Sequence, residues 1–187
     1  MNMIMAKAQE AKDAYILVKA LQKRFVDKLN ILSQTIGENS PFEEVIWLRD
    51  EGKHGGGSRF EARDNILFNT ASVNVSQVHY DEDPSKKLQS ASAISTIIHP
   101  KNPKVPSIHI HISLTQLRDG GAYWRVMADL NPSIENEEDK TIFDKALKAI
   151  ENKYDVKVPL EDIFSANSRD DIVEILSKAL LGRDKDI

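Results

Sequence analysis

Cysteine is absent from all 187 residues of the chain. That excludes disulfides, thiolate metal ligands and a cysteine nucleophile, and it fits a reducing compartment. Positive charge is not in excess either, since 25 basic residues stand against 29 acidic ones for a net charge of -4. The balance gives a nucleic-acid backbone no footing as a partner. No apolar run approaches the roughly 20 residues of a membrane span, and the N-terminus has no apolar core of the signal-peptide kind, so a soluble cytoplasmic protein is expected. Repeats and low-complexity segments are also missing. What the chain does have is 41% hydrophobic residues, enough for one substantial core, and a single domain over residues 1–187 is expected.

The densest chemistry lies in residues 107–130. From Ser107 to Thr115 apolar and polar residues alternate strictly, the period of a strand with one buried face, which sends Ile108, Ile110, Ile112 and Leu114 to the core. Arg118-Asp119-Gly120-Gly121 supplies turn chemistry, and alternation resumes from Ala122 to Leu130 with Tyr123, Arg125, Met127 and Asp129 on one side. A hairpin register that keeps both apolar faces together sets Asp129 opposite His109 or His111 and brings Arg125 near Ser113 or Thr115. An acid, two imidazoles and a guanidinium then share one surface.

Ahead of this hairpin, Ala14, Leu17, Val18, Leu21, Phe25 and Leu29 recur at helical spacing, predicting a long amphipathic helix within residues 1–40. Val45–Leu48 is a short strand, and residues 50–59 read as a glycine-rich loop in which Gly55-Gly56-Gly57 allow a close backbone approach or a sharp turn. The loop fits neither GxGxxG nor GxxxxGK[ST], so as a phosphate cradle it is weak. Two more strand-like runs fill residues 60–80, a polar loop follows, and Ala93–Ile98 is another strand. Three prolines between His99 and Ser107 predict an extended, stiff connection. Residues 133–187 carry two helical stripes, one through Ile142, Phe143, Ala146, Leu147, Ile150 and Tyr154, the other through Ile172, Val173, Ile175, Leu176, Ala179 and Leu180. The fold class is α+β, a mostly antiparallel sheet over residues 43–132 flanked by helices.

Trp47, Gly55–Arg59, Val73-Asn74-Val75-Ser76, the HPxNPxVPxxH run from His99 to His109, Tyr123-Trp124 and Ala128-Asp129-Leu130-Asn131-Pro132 occur in one order. This order resembles the oxygen-dependent coproporphyrinogen III oxidase family over residues 43–150. The resemblance implies an antiparallel sheet flanked by helices that binds a tetrapyrrole carrying four carboxylates. Two propionates are oxidatively decarboxylated to vinyls with dioxygen, in haem and porphyrin biosynthesis. It implies a homodimer and no organic cofactor, with a divalent metal assigned to some bacterial members. Carried over by motif, Ser95 matches a substrate-contacting serine. His99 and His109 match metal ligands, and His109 also matches a proton donor. Asp129 matches the acid that holds pyrrole N–H groups.

The chain also departs from that pattern. His111-Ile112-Ser113 occupy substrate-contacting positions where the family has Asn-x-Arg, so a carboxylate clamp is missing unless Arg125 replaces it from the neighbouring strand, with Arg59 and nearby lysines also holding the substrate. Arg125-Val126-Met127 stands where the family has glycines, and Asp144 where it has a histidine. The family continues into a basic, glycine-rich segment with more strands, which makes a short member the expectation. Each feature has a plainer reading: a hydrogen-bonded His99, a polar strand face at His109 and His111, a turn cap at Asp129, solvated Arg59 and Lys101. Three functions follow. One is a short coproporphyrinogen oxidase. The second is a relative that binds a tetrapyrrole or haem without turnover, with His99, His109 or His111 as axial ligand. The third is a metal-dependent enzyme using His109, His111 and Asp129.

Overall fold

A computed structural model describes residues 2–37 and 39–154, with side chains as far as Ala149. The long stripe forms α1 (Gln9–Thr35), 27 residues and about 40 Å at the usual helical rise. Six strands follow: β1 (Glu43–Leu48), β2 (Gly55–Arg63), β3 (Phe68–His79), β4 (Leu88–Pro100), β5 (Ser107–Leu117) and β6 (Ala122–Asn131). They pair in sequence order, every pair antiparallel, so the sheet is a meander. One helix, α2 (Glu137–Tyr154), comes after it. This is the α+β class expected from the sequence.

Because side chains alternate along each strand, the registers sort the sheet into two faces. On one face Ala62, Ala71, Val73, Val75, Ile94 and Ile98 meet Val18 and Val26 of α1, with Leu21, Phe25, Leu29 and Ile112 packed at the margin. Two buried glutamines join helix to sheet across this core. Gln22 donates through Nε2 to the carbonyls of Ser58 (2.8 Å) and Val73 (2.9 Å). Gln77 accepts from the Ala6 N–H at 2.8 Å and donates to the Ala11 carbonyl and the Ser92 hydroxyl, both at 2.9 Å. Satisfied in this way, each amide fixes where α1 lies along the strands.

Three expectations are corrected. Gly55–Gly57 lie inside β2, not in a loop, and the close approach they permit is that of β3: a Cβ on Gly55 would fall on the Gln77 carbonyl oxygen, and one on Gly57 on that of Val75. The proline-rich connection turns tightly instead of running extended, because the Asn102 side chain accepts from the Lys104 N–H at 3.0 Å and the Asn102 carbonyl from the Val105 N–H at 3.0 Å. Of Ile108, Ile110, Ile112 and Leu114, expected in the core from β5, only Leu114 is buried, while Ile108 and Ile110 are half-buried because α1 lies over β3 and β4. The first C-terminal stripe is helical, within α2, with Ile142 exposed and Phe143 and Leu147 half-buried. The second stripe lies outside the described residues.

Candidate functional site

The face turned away from α1 carries the chemistry. Registers across four strand pairs align Arg59, Asn74, Ser95, His111 and Met127 in one row. The next row holds Glu61, Ser72, Ile97, His109 and Asp129, and on the other side lie Ser76, Ala93, Ser113 and Arg125. Asp129 is thus opposite His109, and Arg125 opposite Ser113, the pairings anticipated from the alternation.

At its centre three strands contribute a relay. The Ser95 hydroxyl lies 3.3 Å from His109 Nε2, and His109 Nδ1 lies 3.6 Å from Asp129 Oδ1. Asn131 donates to the other carboxylate oxygen, Oδ2, at 3.0 Å. Oδ1 itself is buried without a hydrogen-bond partner, its separation from the imidazole being that of an ion pair. The order hydroxyl, imidazole, carboxylate is that of an acyl-transfer triad. Ser95, however, stands mid-strand, paired on both sides, so the N–H groups around it are spent in the ladders and no oxyanion donors remain.

Cations border this centre. The Arg59 Nε lies 2.8 Å from Glu61 Oε2, a close ion pair whose N–H is not aimed along the contact, and Arg63 adds a 3.7 Å approach to the same carboxylate. Arg125 stacks its guanidinium 5.8 Å from the Tyr123 ring centroid, and its Nε is buried with no hydrogen-bond partner. Met127, 1% exposed, is a fully buried large side chain on this face. His99 sits at the exposed end of β4 with Nδ1 2.8 Å from the Ser107 hydroxyl. A cleft of about 470 Å³ lined by His99, Ser107, His109 and Asn131 connects it to the relay. Ile112 is on the opposite face, against the core.

A metal does not fit the donors found. His109 has its two ring nitrogens facing Ser95 and Asp129, and His99 points one at Ser107. Among the described residues no three His, Asp or Glu side chains converge. Sequence reasoning overlooked Asn74 as a site residue: it stands between Arg59 and Ser95 and accepts from the Trp47 indole N–H at 3.1 Å. The polar phase of Val73-Asn74-Val75-Ser76 was the available signal.

The family model described as coproporphyrinogen III oxidase matches residues 14–161, a stretch that contains the whole sheet and the relay. The chain belongs to this family. Among curated relatives, the mitochondrial oxygen-dependent coproporphyrinogen-III oxidase of Homo sapiens is 32% identical over 123 residues, 54% of this chain and 27% of that protein. The oxygen-dependent coproporphyrinogen-III oxidase of Prochlorococcus marinus subsp. pastoris is 32% identical over 110 residues, 53% of this chain and 31% of the relative. That of Prochlorococcus marinus strain SARG is 28% identical over 139 residues, 68% and 39% respectively. The chain therefore spans between 27 and 39% of the length of these coproporphyrinogen oxidases. Among the described residues no helix is long and apolar enough to cross a membrane.

Proposed function

We propose that the sheet face turned away from α1 binds a tetrapyrrole and supports oxidative decarboxylation of its propionates, the coproporphyrinogen oxidase reaction. The observation that carries this reading is the relay Ser95, His109, Asp129 across β4, β5 and β6, with Oδ1 of Asp129 buried and short of a donor. A pyrrole N–H is a donor of the required kind. A carboxylate accepting such bonds orients the ring and makes it electron-rich, and each charge-assisted bond contributes about 1.5–3 kcal/mol. The buried, unpartnered Nε of Arg125 supplies an N–H for a propionate oxygen.

Each propionate that becomes a vinyl loses carbon dioxide and a hydride equivalent, one proton with two electrons, and dioxygen accepts those electrons. His109, held by Asp129 at Nδ1, is placed to carry the proton at Nε2. No step is assigned to a metal. In an aerobic assay with coproporphyrinogen III, Asp129→Ala abolishes turnover while circular dichroism and thermal midpoint stay near those of the parent. Turnover within a few-fold of the parent would remove Asp129 from the reaction.

A second reading, tetrapyrrole binding without turnover, is favoured by Met127, whose buried side chain takes up part of the same face. Titration with coproporphyrin III separates the two. Binding together with turnover supports the oxidase, and binding without it the second reading.

A further inference from the structure

Because the six strands pair in sequence order, β6 ends the sheet, and among the described residues no strand occupies its outer edge. An open edge is a template for a further strand. Two polar atoms on this strand lack partners: Nε of Arg125 and Oδ1 of Asp129 are both buried without a hydrogen bond. They belong to the only charged residues of β6, four positions apart on the relay face. On the other face Trp124 is 41% and Val126 40% exposed, while Ala128 and Leu130 are half-buried. One edge strand thus carries an unspent donor, an unspent acceptor and uncovered apolar surface.

We propose that β6 pairs antiparallel with β6 of a second copy of this chain, about a two-fold axis at Met127. In a two-fold interface residue i meets j and j meets i, and residues directly opposite in a sheet share a face. An axis at Met127 sets Arg125 opposite the partner's Asp129 and Asp129 opposite the partner's Arg125. On the other face it sets Trp124 opposite the partner's Leu130 and Val126 opposite the partner's Ala128. Other registers serve worse: an axis at Arg125 or Asp129 brings like charges together, and one at Val126 or Ala128 leaves each charge opposite an uncharged residue. The other edge strand, β1, has no such complement, since Glu43 and Glu44 are its only charges. The relay Ser95, His109, Asp129 then ends on the partner's Arg125, so each site draws on both copies. A guanidinium carries five N–H groups, and the pair leaves others for a propionate. Ion pairs of this kind fix register more than they add stability, which falls to the strand bonds and the apolar pairs. The pairing stands on the strand edge and needs no tetrapyrrole.

Sedimentation velocity of the full chain without ligand reads a dimer for the parent. Arg125→Asp, which sets two like-charged pairs across the axis, raises the dissociation constant roughly 10- to 100-fold, and adding Asp129→Arg restores it. Register is read by cross-linking, since the chain has no cysteine of its own. Trp124→Cys chains mixed with Leu130→Cys chains form a disulfide under mild oxidation, seen by mass spectrometry of the non-reduced protein. Either variant alone stays unlinked, because like positions lie about 20 Å apart along the paired strands. The cross-link needs neither charge variant, so it decides alone if those do not fold. A linked mixture, with the charge-swap rescue where those chains fold, establishes the pairing. A monomeric parent overturns it. So does a dimer in which the mixture links no faster than either variant alone, or whose dissociation constant the folded charge reversal leaves unchanged.

Discussion

Gly57 shows how closely single residues constrain this sheet. A Cβ there would land on the Val75 carbonyl oxygen and within contact of Ser76, both backbone, so β2 and β3 would have to separate. Gly57→Ala is expected to cost about 1–3 kcal/mol, the usual penalty for overpacking, visible as a lower urea midpoint at unchanged slope. Gly121→Ala is the comparison, because its Cβ would meet only side-chain atoms of Asp119 and Leu117. Arg125 is a different kind of residue, stacked on Tyr123 but with its buried Nε short of an acceptor. In the proposed reading Arg125→Ala weakens coproporphyrin III binding roughly 10- to 100-fold, the worth of one charge-assisted clamp, and leaves stability nearly unchanged. An unaltered dissociation constant would remove Arg125 from the site.

Among the elements, the β5–β6 hairpin was legible in the sequence and α1's placement was not. Strict alternation on both sides of Asp119-Gly120-Gly121 left few registers, and the one observed puts His109 opposite Asp129. Periodicity gave α1 its length and apolar stripe but not which strands it covers, because a stripe says nothing about its partner. The glycine triplet was misread as a loop for a related reason: without side chains it has no alternation to show. The position of α1 rests on Gln22 and Gln77, polar residues that no pattern marks as core. Gln22→Leu keeps the volume but removes the two hydrogen bonds its amide gives to the Ser58 and Val73 carbonyls, and is expected to cost about 1–3 kcal/mol in all. Equilibrium unfolding measures it, and a loss below about 0.5 kcal/mol would mean that α1 is placed by its apolar contacts alone.

Among the described residues one sheet has two faces that differ in kind, one packed over β3 and β4 against α1 and one carrying the relay. Since a sheet's faces alternate residue by residue, an event on one need not disturb the other. Ligand binding to the native state alone stabilises by about 2.7 kcal/mol at a hundredfold excess over the dissociation constant. For a chain of this length that corresponds to a rise of about 5–10 °C in thermal midpoint. Coproporphyrin III is expected to produce that rise in the parent and to produce little in Arg125→Ala at the same concentration. Val18→Ala, in the core beneath α1 on the opposite face, lowers the midpoint of the free protein but leaves the ligand-induced rise intact. A rise that vanished in Val18→Ala would mean that the tetrapyrrole sits on the helix-bearing face and not on the relay face, since only there would the core beneath α1 and the ligand share contacts.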